Sequence, residues 1–272
     1  MYPILFKIGS VDIETYGVIT VFGYWVMVTF LVREARRLGL DPVGVKWNIA
    51  WATIGSLVGG RLLYVIVNFQ YIADDPVRAI RFWEGGLVST GSLMGMHAAA
   101  AMYAARGRMP FWTVLDLAAL AGAIALAIGR WGCFFAGCDY GKPAGDLPWG
   151  VVFRDATSLV PAAMRGAALH PAQLYSSLAN VVVFAVGYIA YRKLFERRPG
   201  TVFGVVAVLY SVFRFVIEFW RGDVDRGFFF AGRFSTSQVA VIVWAVLGLA
   251  AIVFARRPEK SSQDKSQPVR IS

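Results

Sequence analysis

Charged side chains are scarce in this sequence. Only 16% of its 272 residues are Asp, Glu, Lys or Arg, and 57% are hydrophobic, whereas soluble domains carry about 25% charged residues. The mean hydropathy, +0.57, is correspondingly high. This composition predicts an integral membrane protein.

Histidine and cysteine are also rare, with two residues of each. The two histidines have no acidic partner at the spacing of metal ligands, so no metal site is indicated, and no Ser-His-Asp triad can be assembled. The glycine-rich segments lack the GxxxxGK[ST] pattern of a nucleotide-binding loop. Cys133 and Cys138 are five residues apart, which is compatible with a disulfide and with two small buried thiols.

Long apolar runs are what the chain has in abundance. Seven stretches approach the roughly 20 residues that a helix needs to cross about 30 Å of hydrocarbon, and lipid cannot satisfy an open backbone. The sequence therefore predicts an all-α integral membrane protein with about seven transmembrane helices. The stretches are Thr15–Val32, Trp47–Val67, Leu87–Ala105, Phe111–Gly129, Ala172–Leu194, Phe203–Trp220 and Ser235–Ala255.

The distribution of charge predicts the orientation. Segments 33–46, 106–110, 192–198 and 256–272 hold 15 Lys or Arg and five acids, whereas the opposite loops hold ten of each. Cytoplasmic loops carry an excess of Lys and Arg, so the N-terminus is predicted to be periplasmic and the C-terminus cytoplasmic. The net charge of +10 then reflects topology and anionic lipid, not nucleic acid.

The non-spanning segments predict the domain organisation. Residues 1–258 are expected to form one transmembrane domain, and its longest outer segment, 130–171, is expected to be ordered and to carry function. Residues 259–272 are polar and are expected to form a disordered cytoplasmic tail.

Several charged residues interrupt the apolar runs. Arg61 lies in the second stretch, and Arg214 and Glu218 lie in the sixth; each costs about 2.5–3.5 kcal/mol near mid-span on insertion scales. Tyr210, Arg214, Glu218 and Arg221 are three or four residues apart, so they are predicted to share a helix face turned to the bundle interior or a water-filled cavity. An internal ion pair that fixes packing is one interpretation. The excess of arginines over one glutamate favours an anion site.

Arg130 ends the apolar run that begins at Phe111 and opens a glycine-rich stretch that reaches Gly141. Arginine stays charged, and its planar fork of donors matches phosphate oxygens in pairs. The stretch therefore predicts a phosphate site at the bilayer surface, and the alternative is an arginine that reaches lipid headgroups from the interface. His97, among alanines, is interpreted as a core histidine or as one that reaches the membrane interface, and His170 either caps a helix or lines the site.

In six segments the chain resembles the prolipoprotein diacylglyceryl transferase family, and the resemblance covers nearly the whole chain. Gly129–Gly141 is similar to the signature G-R-x-G-N-F-x-N-x-E-x-x-G, but Cys133, Ala136 and Cys138 replace the two Asn and the Glu. Thr90 stands where many members carry a histidine. The other segments are Tyr16-Gly17, Gly59-Gly60-Arg61-Leu62 with Tyr64-Val65, Trp83-Glu84-Gly85-Gly86-Leu87 with Gly91 and Gly95, His170-Pro171-Ala172-Gln173-Leu174-Tyr175, and Phe213-Arg214 with Glu218-Phe219-Trp220-Arg221.

The resemblance implies a transferase of the bacterial inner (cytoplasmic) membrane. Such an enzyme moves the diacylglyceryl group of phosphatidylglycerol to the lipobox cysteine of a prolipoprotein signal peptide, so that a thioether forms and glycerol phosphate leaves. It implies no cofactor and no metal, and its partners are these two substrates and membrane lipids. The rival interpretations are the same fold with a different acceptor, a lipid or anion translocator, and an inactive paralogue.

The resemblance also implies which residues act. Arg130 and Arg214 are expected to stabilise the leaving phosphate, with Tyr16 as the third catalytic residue. Because Thr90 cannot serve as a base, the base is left open among Tyr16, Asp139, His170 and a phosphate oxygen. The residues expected to contact substrate are Arg61, Gly132, Gly141, Glu218, Arg221, Tyr210, Thr90, Asp139, His170 and Gln173.

Overall fold

The computed structural model describes residues 2–9, 11–81, 86–108, 110–194, 198–223, 227–229 and 234–254. The tail predicted to be disordered, 259–272, lies outside the described residues. So does the part of the family resemblance at Trp83-Glu84-Gly85.

The apolar runs form helices, which satisfy their own backbone hydrogen bonds in lipid. Of the helices in the described part of the chain, six are long and apolar enough to cross a membrane, as expected for a multi-pass protein. These are α1 (Thr15–Arg37), α2 (Pro42–Val67), α5 (Phe111–Ala136), α6 (Ala172–Leu194), α7 (Thr201–Ile217, continued by a 3-10 turn, Glu218–Trp220) and α8 (Thr236–Phe254).

The third apolar stretch forms a shorter helix than predicted. Helix α4 (Ser89–Tyr103) has 15 residues and continues into a π-helical turn, Ala104–Arg108. Fifteen residues rise about 22 Å, less than the ~30 Å of hydrocarbon. Two further short pieces precede it, α3 (Phe69–Ala73) and a 3-10 turn (Pro76–Ala79).

The prediction of an all-α chain missed short antiparallel strand pairs outside the apolar runs. β1 (Ile4–Ile8) pairs with β2 (Val11–Glu14), β3 (Val151–Val152) with β4 (Ala168–Leu169), and β5 (Phe228–Phe229) with β6 (Phe234–Ser235). They precede α1, link α5 to α6 and link α7 to α8, respectively. Helix α5 occupies the centre of the bundle and packs against α1, α4, α6 and α7.

Helices α2 and α4 approach each other through small residues. Gly55 and Gly59 of α2 face Gly91 and Gly95 of α4, and a Cβ added at Gly59 would lie 2.8 Å from Cα of Gly95. Small residues at such spacing let helix backbones pack closely in membranes. The glycines that contribute to the family resemblance here therefore serve helix packing.

Asp116, the only ionisable residue within Phe111–Ile128, caps a distant helix. It is fully buried in α5. Its Oδ2 accepts from the backbone N–H of Gly200 at 2.8 Å, and its Oδ1 accepts from that of Phe203 at 2.7 Å. The first N–H groups of a helix have no partner within the helix, so Asp116 supplies the cap of α7 from another helix.

Asp116→Ala is therefore expected to lower the free energy of unfolding by about 2 kcal/mol, because the N–H groups at the start of α7 lose their acceptor in a buried setting. Thermal unfolding in detergent measures the change. Asp41→Ala is the matched control, because Asp41 caps α2 at an exposed position and its loss is expected to cost about 1 kcal/mol or less. Equal losses in the two variants would contradict the role assigned to Asp116.

Candidate active site

Arg130 lies in the last two turns of α5, because the helix continues to Ala136. The prediction ended this helix at Gly129 and placed Arg130 in the outer segment; the ordered non-helical segment instead begins at Gly137. Gly137 adopts φ +82° and Asp139 adopts φ +55°, both in the left-handed region. The chain thereby turns back at the end of the helix, and the carboxylate of Asp139 reaches the buried guanidinium of Arg130.

Arg221 reaches the same carboxylate from the far side. Its Nη2 donates to Oδ1 of Asp139 at 2.5 Å, whereas Nη1 of Arg130 donates to Oδ2. Arg221 was predicted on the helix face of Tyr210, but α7 ends at Ile217 and Arg221 is extended. The chain at Arg221 pairs with the segment after Asp139, because Lys142 N–H donates to the carbonyl of Trp220 at 2.8 Å.

The electrostatics of Asp139 follow from this arrangement. Burial raises the pKa of Asp139, but the positive charges of Arg221 and then Arg130 outweigh burial and hold the pKa well below its usual range. Asp139 is therefore an anion near neutral pH. This one carboxylate accepts hydrogen bonds from two guanidinium groups.

Arg214 has a separate set of partners. Its Nη1 donates to Glu218, four residues on, as the spacing predicted, and its Nη2 donates to Oγ of Ser237 at 3.0 Å. Both members of the Arg214–Glu218 pair are buried. The ion pair explains how two charges are accommodated inside an apolar helix.

Among the described residues of this cluster, the arginines do not outnumber the carboxylates. Arg221 also donates to both carboxylate oxygens of Asp223, at 2.9 and 2.5 Å. With Glu218 and Asp139, three carboxylates therefore face three arginines. Counting charges along the helices did not pair Asp139 or Asp223 with an arginine, because both lie in loops. Asp139 was predicted as a substrate contact and a candidate base, and Asp223 was not predicted at all.

Arg130 and Arg214 line one small cavity of about 10 Å³, together with Tyr210 and Asn180. The two arginines predicted to be catalytic therefore lie near each other, although they come from different helices. Tyr210 is buried in the wall between them.

Tyr16, the third residue predicted to be catalytic, lines a larger, partly open cavity of about 420 Å³ between α1, α2, α4 and α5. The walls are mostly apolar. Gly132 of α5 permits the close approach of α1, because a Cβ there would lie 3.1 Å from Cδ2 of Tyr16. Ser89 also lines this cavity, and its Oγ accepts from Nη2 of Arg130 at 3.4 Å. Ser89 thus links the apolar cavity to the arginines.

Other residues expected to contact substrate hold the loop that carries Asp139. Gln173 Nε2 donates to the carbonyl of Cys138 at 2.8 Å. Gly141 is bridged to Arg221, and its backbone lies against His170. The N–H of His170 donates to the carbonyl of Lys142 at 2.9 Å, and its Nδ1 lies 3.3 Å from the hydroxyl of Tyr175.

The described partners of Arg61 differ from those of Arg214. Its Nε donates to the carbonyl of Ala79 and its Nη1 to that of Gly86, each at 3.0 Å, and its guanidinium stacks on Tyr64. Backbone carbonyls therefore offset its charge, and Arg61 ties the segment before α4 to α2. Thr90, at the start of α4, is buried, and its hydroxyl finds no partner among the described residues.

Cys133 and Cys138 are free thiols. Their sulfur atoms and a carboxylate oxygen of Asp139 lie within 4.8 Å of one another. A cation there would compete with two arginines for Asp139, and their positive charges oppose it. The donor set is therefore a poor fit for a metal ion.

Sequence reasoning missed four polar residues of this region: Ser89, Asn180, Asp223 and Ser237. Asp223 follows Arg221 by two residues, which was an available signal. The others are isolated polar residues at or within helices, and only the fold brings them to the arginines.

Nearly the whole chain is similar to proteins of one known family. The profile of a family described as prolipoprotein diacylglyceryl transferase matches residues 3–254. The chain is similar to three proteins named phosphatidylglycerol–prolipoprotein diacylglyceryl transferase. That of Symbiobacterium thermophilum is 34% identical over 95% of both chains. That of Geobacter sulfurreducens is 32% identical over 94% of this chain and 95% of the relative, and that of Rhodospirillum rubrum 30% identical over 94% and 92%.

Proposed function

The chain belongs to the prolipoprotein diacylglyceryl transferase family, and from this premise we propose that its arginine cluster holds the phosphate of phosphatidylglycerol. The protein is a transferase that moves the diacylglyceryl group of this lipid to the cysteine thiol of a prolipoprotein. The sulfur bonds to the terminal glyceryl carbon, the carbon–oxygen bond to phosphate breaks, and glycerol phosphate leaves with the electron pair. The thiol proton passes to a base.

The observation that carries this proposal is the carboxylate of Asp139 between Arg130 and Arg221. Two guanidinium groups converge on one small anion, an arrangement that suits a phosphate as well as a carboxylate. A guanidinium has five N–H donors, so each arginine can add a phosphate oxygen or exchange the carboxylate for it. Asp139 would then keep the two arginines in place while no lipid is bound.

The chemistry supplied by the arginines is electrostatic. Negative charge grows on the phosphate oxygens as the carbon–oxygen bond breaks, and fixed donors aimed at these oxygens stabilise that charge in a site of low dielectric. Arg214 lines the same small cavity as Arg130, so its guanidinium lies close to that of Arg130 and can act on a phosphate bound beside this cavity. Glu218 holds Arg214 in place.

The apolar cavity beside Tyr16 supports the same proposal. Its volume of about 420 Å³ lies in the range of small-molecule sites, which are mostly apolar with a few polar groups. Acyl chains fit such walls, and Ser89 connects the cavity to Arg130. Among the side chains considered as the base, Asp139 is a weak one because two arginines lower its pKa, whereas Tyr16 opens on the cavity.

The experiment that tests this function combines purified protein, phosphatidylglycerol and a peptide with a lipobox cysteine. The peptide mass should increase by one diacylglyceryl group, and a peptide with serine in place of the cysteine should remain unchanged. Lipid that crosses vesicles without any change in peptide mass would support a translocator instead. If the diacylglyceryl group were found on a different acceptor while the peptide stayed unmodified, the protein would have the same fold but a different acceptor.

We also propose that the protein crosses the bacterial inner membrane seven times with its N-terminus in the periplasm. Support comes from α4 and its following turn, which run without a break from Ser89 to Arg108, and from the Lys and Arg bias. A reporter fused after Arg257 is expected to be cytoplasmic, and one inserted near Pro143 periplasmic. The opposite result at both positions would overturn the orientation.

Replacement of both Cys133 and Cys138 by serine is expected to reduce stability but to leave measurable transfer activity, because the substrate brings the thiol that reacts. Serine removes weak thiol contacts worth about 1 kcal/mol or less, so the rate should fall by less than about tenfold. Peptide mass measures the rate, and thermal unfolding confirms that the variant is folded. An inactive but folded double variant would mean that a protein thiol takes part in the reaction.

A further inference from the structure

Four buried polar atoms find no hydrogen-bond partner among the described residues and lie in one region of the bundle. They are Nε of Arg214, the hydroxyl of Tyr210, Oδ1 of Asn180 and Nε2 of His97. Each of these residues is at most 6% exposed. A buried polar atom without a partner destabilises a fold because it has lost its hydrogen bonds to water, so four such atoms together call for an explanation.

Two adjoining cavities provide an explanation for these four atoms. The first is lined by Arg130, Arg214, Tyr210 and Asn180, and the second by Tyr210, Asn180 and His97. Each has a volume of about 10 Å³, which is close to the minimum that one water molecule occupies. Because Tyr210 and Asn180 belong to both walls, the cavities are neighbours along a line from Arg214 to His97.

The partners of these residues fix which atoms donate. Nδ1 of His97 lies 2.9 Å from the carbonyl of Leu93; a carbonyl only accepts, so Nδ1 carries the hydrogen, and in the neutral imidazole Nε2 is then an acceptor. The Nδ2 of Asn180 donates to the carbonyl of Ser176 at 2.7 Å, which leaves Oδ1 as an acceptor. Nε of Arg214 can only donate, and the Tyr210 hydroxyl can do both.

We propose that each cavity binds one ordered water molecule and that the two waters join Arg214 to His97. The first water accepts from Nε of Arg214 and donates to the hydroxyl oxygen of Tyr210 and to Oδ1 of Asn180. The second accepts from the Tyr210 hydroxyl and donates to Nε2 of His97 and to Oδ1 of Asn180. Each water makes three hydrogen bonds, the usual number for buried water, and all four atoms gain a partner.

This chain of hydrogen bonds has a single direction, from the charged donor Arg214 to the neutral acceptor His97. Every hydrogen between Arg214 and His97 points towards the histidine, and hydrogen bonds in such a chain strengthen one another at low dielectric. His97 is therefore a positioning residue, because it orients the guanidinium of Arg214 through Tyr210 and two waters. This consequence for transfer rests on the proposed function, whereas the waters themselves do not.

A crystal structure of the full chain in lipid, at a resolution that shows ordered water, tests the waters directly. We expect one density in each cavity, within hydrogen-bond distance of the atoms named above. Empty cavities, or protein atoms that partner these four groups directly, would overturn the proposal whether or not the protein transfers lipid.

The paired variants His97→Gln and His97→Leu test the positioning role. Glutamine retains an acceptor near the position of Nε2, so its kcat should stay near that of the natural chain. Leucine removes the acceptor, so the second water should be lost and kcat should fall about fivefold, with little change in KM. Equal kcat values for the two folded variants would contradict the positioning role. If His97→Leu does not fold, Asn180→Leu removes another acceptor of the second water, and its kcat provides the same test.

Discussion

Arg214→Lys is expected to lower the rate of diacylglyceryl transfer by about 10²–10³-fold, the loss seen when one donor to a developing anion is removed. The substitution keeps the positive charge. It loses the planar fork that bonds Glu218 with one nitrogen and Ser237 with another, and a single ammonium cannot present two parallel donors to a phosphate. Most of the loss should appear in kcat.

Arg192→Lys is the matched control for this substitution. Arg192 is exposed in the last turn of α6, and its replacement should leave the rate unchanged. Thermal unfolding of both variants separates lost catalysis from lost protein. Transfer at the natural rate by Arg214→Lys would remove the argument that this guanidinium acts on the phosphate.

Arg130→Ala is expected to abolish measurable transfer and to destabilise the fold by about 1.5–3 kcal/mol, the range for a lost hydrogen bond to a charged group. The loss is not larger because Asp139 is partly exposed and would keep Arg221 as its partner. Lys7→Ala is the control, because Lys7 forms an exposed pair with Asp12 at 3.1 Å that is worth at most about 1 kcal/mol. Chemical unfolding measures both changes.

The pH dependence of Arg130→Ala provides a second measurement. The lowered pKa of Asp139 means that its ionised form stabilises the fold above the ordinary pKa of about 3.9. This contribution is lost only as the pH falls through the lower folded value. Without Arg130 the folded pKa should rise, so the variant should gain less stability between acid and neutral pH. An unchanged pH profile would mean that Arg130 does not hold Asp139.

The sequence predicted those features that depend on neighbours along the chain. Apolar runs became helices because lipid imposes that structure, and the pairing of Arg214 with Glu218 followed from a spacing of four residues. The choice of Arg130 rested on a charge at the end of an apolar run. All three features depend only on local geometry.

Features that depend on distant segments were not predictable in the same way. Asp116 caps a helix that begins more than 80 residues later, and Asp139 binds Arg221 at a separation of 82 residues. No periodicity links such positions. The described residues of the cluster show no surplus of positive charge for the same reason. The carboxylates of Asp139 and Asp223 balance the arginines, and they lie in loops whose positions only the fold determines.

The central claim is that the arginine cluster binds the phosphate of the donor lipid, and lipid retention by the purified protein tests it most directly. Native mass spectrometry would compare phosphatidylglycerol with diacylglycerol, which shares the acyl chains but lacks the phosphate. The account predicts that Arg130→Ala loses bound phosphatidylglycerol while its retention of diacylglycerol stays equal to that of the natural chain. Equal retention of phosphatidylglycerol by the natural chain and a folded Arg130→Ala variant would contradict it.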